Sequence, residues 1–270
     1  MQPTYRPEYL IAGHTTRDLL PDGWRIGGSV AYAALGASEA GRTISVVTGA
    51  GPEIRSLNVF GRTNAVIQDS LRTTTFRNVE QDGVRTQFVY ELGEPLDSAL
   101  VRTELLTAGI FHLAPIFGEI DHEFIRSFNA ELTGASLQGW MRVRDGEIVR
   151  QGLSKSWDAI HPFIDVAIYS VHDLKYDIIS ERIHPVIPCC VETMGKGGVR
   201  IVEGKKHHIV STAPLDLVDS NGAGDLFAYE FLTRFRESGH TVSAAKAANE
   251  FVARCLKKPG FRRPLYPQMS

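Results

Sequence analysis

DSNGAGDLF, residues 219–227, joins an extended run, APLDLV at 213–218, to a segment of helical period. Phe227, Ala228, Phe231, Leu232 and Phe235 share one apolar helix face, so the local order is strand, Gly-rich turn, helix. Gly222 and Gly224 let the backbone approach a ligand without a Cβ in the way. The first N–H groups of a helix lack intrahelical acceptors and form an anion site. Asp225 falls in that first turn. An acid there either favours the helix N-terminus or serves chemistry. It opposes simple anion binding, yet it suits a carboxylate that must touch a hydroxyl attacking a bound phosphate.

The stretch resembles the second signature of the PfkB (ribokinase-like) carbohydrate kinases, D-[TS]-x-G-A-G-D-x-F. Asp219, Ser220, Gly222, Ala223, Gly224, Asp225 and Phe227 all fit it. The resemblance implies that the backbone of Asn221, Gly222, Ala223 and Gly224 forms the anion hole for the transferring phosphate, with Asp225 the catalytic base.

Upstream, Val186–Val191 reads as a strand leading into Thr193-Met194-Gly195-Lys196-Gly197-Gly198. This is similar to the family's T-x-G-x-x-G nucleotide loop at Thr193, Gly195 and Gly198, and no Walker-type G-x-x-x-x-G-K-[ST] occurs. Val199–Val202 and His207–Val210 read as paired strands, with His207 and His208 on opposite faces and so unable to share a metal. Ile164–Tyr169 is a buried strand followed by Ser170, Val171, His172 and Asp173, where the family carries N-x-x-E. The resemblance makes Asp173 a contributor to magnesium placement, through water. Downstream, Ser243–Leu256 is a helix, and the resemblance puts Ala247 and Asn249 at the nucleotide's base; Asn249 otherwise reads as a surface residue.

At the other end, Tyr9–Ala12 is a short buried strand, followed by a loop carrying Asp18 and Asp22. Gly27-Gly28 opens a small-residue helix, Ser29–Ala40, closed by Gly41; Ile44–Val47 is a strand and TGAG at 48–51 its turn. Paired glycines before such a helix resemble the family's first motif, GG-x-x-x-N, with Tyr32 in place of Asn. The resemblance makes Asp18, Gly27, Gly28 and Tyr32 substrate-binding. One carboxylate accepts from two neighbouring hydroxyls, and a tyrosine ring offers a stacking face. Thr73–Val79 and Val84–Leu92 read as a hairpin about Asp82-Gly83. By itself it is an ordinary surface hairpin; by resemblance, residues 71–92 are a small lid inserted in a single 1–270 kinase domain. Next, Ile110–Pro115 reads as a strand, Asp121–Glu131 as a helix, and Ala135–Trp140 as a strand ending near Arg142, a candidate for substrate or phosphate.

The 270 residues carry a formal net charge of −2, so no basic excess points to nucleic acid. The N-terminus has no secretory pattern, no apolar stretch is long enough for a bilayer, and the three cysteines form neither a disulfide framework nor a metal spacing. A cytoplasmic protein is expected. The resemblance implies a three-layer α/β/α sandwich with a mainly parallel sheet, acting on a small molecule as a monomer or a homodimer through the lid. It further implies ATP and Mg2+ as cofactors and a hydroxyl of a small sugar or cyclic polyol as acceptor. An unphosphorylated acceptor is favoured, since Arg142 is the one evident cation for a sugar phosphate. The alternatives are a nucleoside kinase and a non-catalytic sugar or nucleotide sensor. A dinucleotide oxidoreductase is excluded because no G-x-G-x-x-G follows the first strand.

Overall fold

The computed structural model describes residues 6–57, 60–61, 63–81, 84–212 and 221–267. The extended run 213–218, Asp219, Ser220 and the Asp82-Gly83 turn lie outside the described residues. In chain order the strands and helices are β1 (Tyr9–Ala12), β2 (Thr16–Leu20), β3 (Gly23–Gly27), α1 (Ser29–Glu39), β4 (Ser45–Ala50) and α2 (Pro52–Arg55). Then follow β5 (Asn64–Asp69), β6 (Thr74–Gln81), β7 (Val84–Glu91), β8 (Thr107–Leu113), α3 (His122–Arg126) and β9 (Asn129–Ser136). The chain continues through β10 (Arg142–Asp145), β11 (Ile148–Gln151), α4 (Trp157–Ile160), β12 (Val166–Ser170), α5 (Tyr176–Arg182) and β13 (Cys189–Thr193). It closes with β14 (Val199–Glu203), β15 (Lys206–Val210), α6 (Ala223–Ser238) and α7 (Thr241–Lys257).

Among the described residues nine strands form the main sheet, in the order β15-β14-β13-β12-β9-β8-β1-β4-β5. From β13 to β5 all neighbours are parallel, and the antiparallel pairs are β13–β14 and β14–β15 at one edge. Both faces are covered, which explains why the strands read as apolar runs without alternation. Tyr9 and Ile11 of β1 join a core with α1, α6 and α7; Leu10 and Ala12 join another with α3, α4 and α5. The result is a three-layer α/β/α sandwich. The chain leaves β1 toward β4 and β5, then returns to β8 on the other side of β1. Ligand crevices in such sheets open at the carboxyl ends of the strands beside this reversal.

The second sheet is larger than the hairpin alone suggests. Its order is β10-β11-β7-β6-β2-β3, so β6 and β7 supply two of six strands. Residues 16–27, expected as loop, form the β2–β3 hairpin and place Asp18 on a strand opposite Arg25. Other boundaries shift for tertiary reasons. The expected helix 121–131 stops at Arg126, because Asn129 and Ala130 pair with Thr107 and Ala108 of β8. The expected strand 135–140 ends at Ser136, and Leu137–Met141 turns as a 3-10 helix with Gly139 against the Pro115 carbonyl. The expected turn at 48–51 remains strand through Ala50, paired with β5.

Candidate active site

At the carboxyl edge of the main sheet, under the second sheet, lies a cavity of about 590 Å³. It collects residues from the whole chain: Asp18, Gly28 and Tyr32 at one end, Thr193, Gly195, Gly198 and Asn249 at the other. Asn221, Gly222, Ala223, Gly224 and Asp225 lie between them, with Arg142, Ser170 and Asp173. Gly27 and Ala247 are not among the lining residues. Gly27 nevertheless shapes the wall, since a Cβ there would stand 2.7 Å from Asp18 Oδ2.

The turn before α6 has the form that an anion site requires. Gly222 has φ +80, a left-handed conformation that L side chains rarely adopt, and N-caps the helix without any side-chain cap. The first N–H groups of α6 therefore remain open to a ligand. A Cβ on Gly222 would meet Cδ1 and Cε1 of Tyr32 at 2.1 Å, so that ring is pressed against the turn. At Gly224 a Cβ would meet nothing within 4 Å, which leaves cavity space beside the helix start. Tyr32 itself is buried, and its hydroxyl has no hydrogen-bond partner among the described residues.

Asp225 sits half-buried in this cavity, and burial raises its pKa above the ordinary carboxylate value. The nearby Ser29 side chain and the charge of Arg142 act the other way, while Asp18 and Asp173 add to the rise. A carboxylate with a raised pKa is a better proton acceptor. Ser29 is thus a site residue that sequence reasoning missed, although its hydroxyl follows the glycine pair directly.

At the Asp18 end of the cavity, Thr16 Oγ1 donates to Asp18 Oδ1 at 2.9 Å, and Arg25 Nε lies 3.6 Å from Oδ2. Burial raises the Asp18 pKa as well, against the pull of Thr16 and Arg25. Arg25 is a second cation lining the cavity, with Arg142; a loop reading of residues 16–27 gave no reason to put it there. From the second sheet come Asn78 and Gln87, cross-strand neighbours whose amides bond at 3.1 Å.

Arg142 is placed by backbone. Its Nη1 donates to the Ile116 carbonyl at 2.9 Å, and its guanidinium lies over the Phe76 ring at 5.2 Å. Burial lowers its pKa to about 10, which leaves it cationic at neutral pH. Glu119, also missed, fixes this loop by accepting from the N–H groups of His14, Ile116 and Phe117, each at 2.8 Å. After β12, Ser170 N–H donates to Asp173 Oδ2 at 2.8 Å, while among the described residues Oδ1 has only a 3.4 Å contact from Gln138.

Residues 179–268 match the model of the pfkB family carbohydrate kinases. No curated protein matches the chain in sequence. Among solved structures, a pyrophosphate-dependent kinase in the ribokinase family, complexed with a pyrophosphate analog and myo-inositol, superposes with a TM-score of 0.77. It is 20% identical, over 95% of this chain and 97% of its own. Ribokinase from Thermotoga maritima gives 0.71 at 15% identity, over 96% of each chain. A nucleoside kinase from Methanocaldococcus jannaschii, an archaeal member of the ribokinase family, gives 0.65 at 14% identity, over 96% of this chain and 95% of its own. The fold is ribokinase-like, and the PfkB resemblance read from the signature residues holds. No helix among the described residues is long and apolar enough to cross a membrane.

Proposed function

We propose that this chain, ribokinase-like in fold and matching the pfkB carbohydrate kinases over its C-terminal third, is a kinase for a hydroxyl of a small sugar or cyclic polyol. One observation carries the reading: Asp225, with its raised pKa, shares a single cavity with the Gly222 cradle and with Asp18. A binding protein has no use for a proton acceptor at an anion site.

Asp18 and the backbone at Gly28 hold the acceptor so that one hydroxyl faces Asp225. The hydroxyl oxygen attacks phosphorus, the bond from phosphorus to the leaving phosphate oxygen breaks, and the proton passes to Asp225. An aliphatic hydroxyl is far more basic than a carboxylate, so the proton moves late. The N–H groups at residues 221–224 stabilise charge on the transferring group, and most of the catalysis is positioning and electrostatics. Asp173 fits a magnesium ion held through water, because one of its oxygens is committed to Ser170 and the other is nearly free. Magnesium, when bound, neutralises charge on the donor phosphates.

Two donors are compatible with the far end of the cavity. Thr193, Gly195 and Gly198 suit phosphates, and Val199, Val252 and Asn249 offer a wall for a base, as ATP requires. A second reading, pyrophosphate, is favoured by the likeness to pyrophosphate-dependent kinases. The test is a panel of sugars, cyclitols including myo-inositol, and nucleosides, each with magnesium and either ATP or pyrophosphate. ADP release with a sugar or cyclitol supports the full reading. Phosphate release from pyrophosphate alone replaces the donor, and turnover of nucleosides alone replaces the acceptor. No acceptor-dependent turnover with either donor leaves a sensor.

A further inference from the structure

A hydrogen-bonded file of three side chains enters the cavity from the core, and the mechanism above does not use it. Tyr9 Oη lies 2.9 Å from His112 Nδ1, and His112 Nε2 lies 2.9 Å from Ser136 Oγ. Tyr9 and His112 are buried, and Ser136 lines the cavity. The chemistry of the file fixes its direction. The Tyr9 hydroxyl carries one hydrogen, and Nδ1 of His112 is its sole hydrogen-bond partner among the described residues. A buried donor left unmade is costly, so Tyr9 donates to Nδ1. Nε2 then carries the imidazole hydrogen and donates to Ser136 Oγ. The Ser136 hydrogen is left to point away from the file, into the cavity. Burial lowers the His112 pKa to about 3, so the ring stays neutral and this direction holds across the physiological range.

The fold says what that hydrogen faces. Ser136 is the last residue of β9, between β8 and β12. Beyond β8 lies Ile116 at the acceptor end, and beyond β12 lie Ser170 and Asp173 at the donor end. Strand alternation puts Ser136 on the face of Gly134, whose missing Cβ is filled by Leu232 of α6. The N-terminal turn of that helix, with Asp225, lies toward the same cavity. Ser136 therefore lies between the strands that lead to the two ends of the cavity, on the sheet face that carries α6.

Resting on the kinase reading, we infer that Ser136 donates a hydrogen bond to an oxygen of the phosphoryl group in transfer, and that Tyr9 and His112 are positioning residues that aim its proton. Asp225 takes a proton from below the acceptor; Ser136 supplies a neutral donor to the group being moved.

The experiment uses the full chain and its Ser136→Ala, Ser136→Thr, Tyr9→Phe and Tyr9→Phe/Ser136→Ala variants. Ser136→Ala is expected to lower kcat about tenfold or more, as loss of one oxyanion donor does, with both KM values little changed. Ser136→Thr, which keeps the hydroxyl, should restore most of that loss. Tyr9→Phe should lower kcat several-fold in the wild-type background and not at all in Ser136→Ala, because its effect runs through Ser136. Nitrogen-15 NMR of labelled histidine should show His112 protonated at Nε2. A ring protonated at Nδ1, an undiminished Tyr9→Phe effect in the Ser136→Ala background, or a change confined to the acceptor KM overturns the inference. A wild-type protein without turnover overturns the kinase reading and the Ser136 role together, and the NMR tautomer still decides the direction of the file.

Discussion

Replacing Gly222 by alanine tests whether the cradle and Tyr32 are one mechanical unit. The new Cβ would stand 2.1 Å from two ring carbons of Tyr32. Carbon atoms in contact prefer about 3.5–4.0 Å, so the ring or the turn must give by roughly 1.5 Å. Overpacking of this kind costs about 1–3 kcal/mol. The left-handed backbone, at φ +80, adds about 1–2 kcal/mol for an L residue. Together these are about 2–5 kcal/mol, set against a typical total stability of about 5–15 kcal/mol. Gly222→Ala should fold, with a lower midpoint in urea. If the turn yields, the N–H groups move off the transferring phosphate, and a shift near 1 Å costs about a hundredfold in kcat. Tyr32→Ala removes the obstacle but not the backbone strain. In a double-mutant cycle the pair should therefore cost about 1–3 kcal/mol less than the sum of the singles, and the double variant should recover part of the turnover lost by Gly222→Ala. Strict additivity in urea melts, or wild-type kcat in Gly222→Ala, would refute the coupling.

Asp225→Asn should reduce turnover by about a hundred- to ten-thousandfold while donor binding by calorimetry persists; more than about a tenth of wild-type activity removes Asp225 from the role of base. Its thermal midpoint should be unchanged or higher. Burial raises the Asp225 pKa, so the ionised group costs the native state stability at pH values above that pKa, and the amide does not. Asp18→Ala should raise KM for the acceptor strongly and leave that for the donor nearly unchanged; equal effects on both would place the acceptor elsewhere. Arg142→Gln should move the acid limb of the kcat/KM profile to higher pH. The base must be ionised to act, Arg142 favours its ionised form, and without that charge the proton is held to higher pH. An unmoved limb counts against Arg142 as the tuning charge.

Where local chemistry sets the structure, the sequence was enough. Tyr9–Ala12 is a strand because every residue is apolar and both faces are covered, and the start of α6 follows from glycines before an amphipathic helix. Elsewhere distant partners decide. NAEL at 129–132 has helical composition, yet its backbone completes the edge of β8, and a long-range ladder outweighs a weak propensity. Asp18 was legible as a chemical group and not as a strand residue, because β2 is held by pairing with β6, across the chain from Thr16–Leu19 to Thr74–Arg77. Arg25, Ser29 and Ser136 carry no motif of their own. Arg25 lies opposite Asp18 in its own hairpin and Ser29 follows the glycine pair directly, but pairing and packing with distant residues bring them and Ser136 to one cavity.

Among the described residues Asp225, the proposed base, has no ion-pair partner, and the charges around the cavity account for this. Arg25 lies beside Asp18 and within 3.5 Å of the Tyr266 hydroxyl. Arg142, by contrast, donates to a backbone carbonyl, and its charge is spread over Asp18, Asp173, Asp225 and Glu119. A salt bridge to Asp225 would hold the carboxylate ionised but make it a poor proton acceptor. Burial alone favours its protonated form. A cation near but not bound to it, with the Ser29 side chain close by, sits between these limits. Donor phosphates then add negative charge to the cavity, which raises the Asp225 pKa further unless cations arrive with them. Lys196 at the donor end and a magnesium ion near Asp173 are suited to that compensation. On the proposed reading, donor phosphates and the cations that accompany them pull the Asp225 pKa in opposite directions, so the proton affinity of the base depends on which of them is bound.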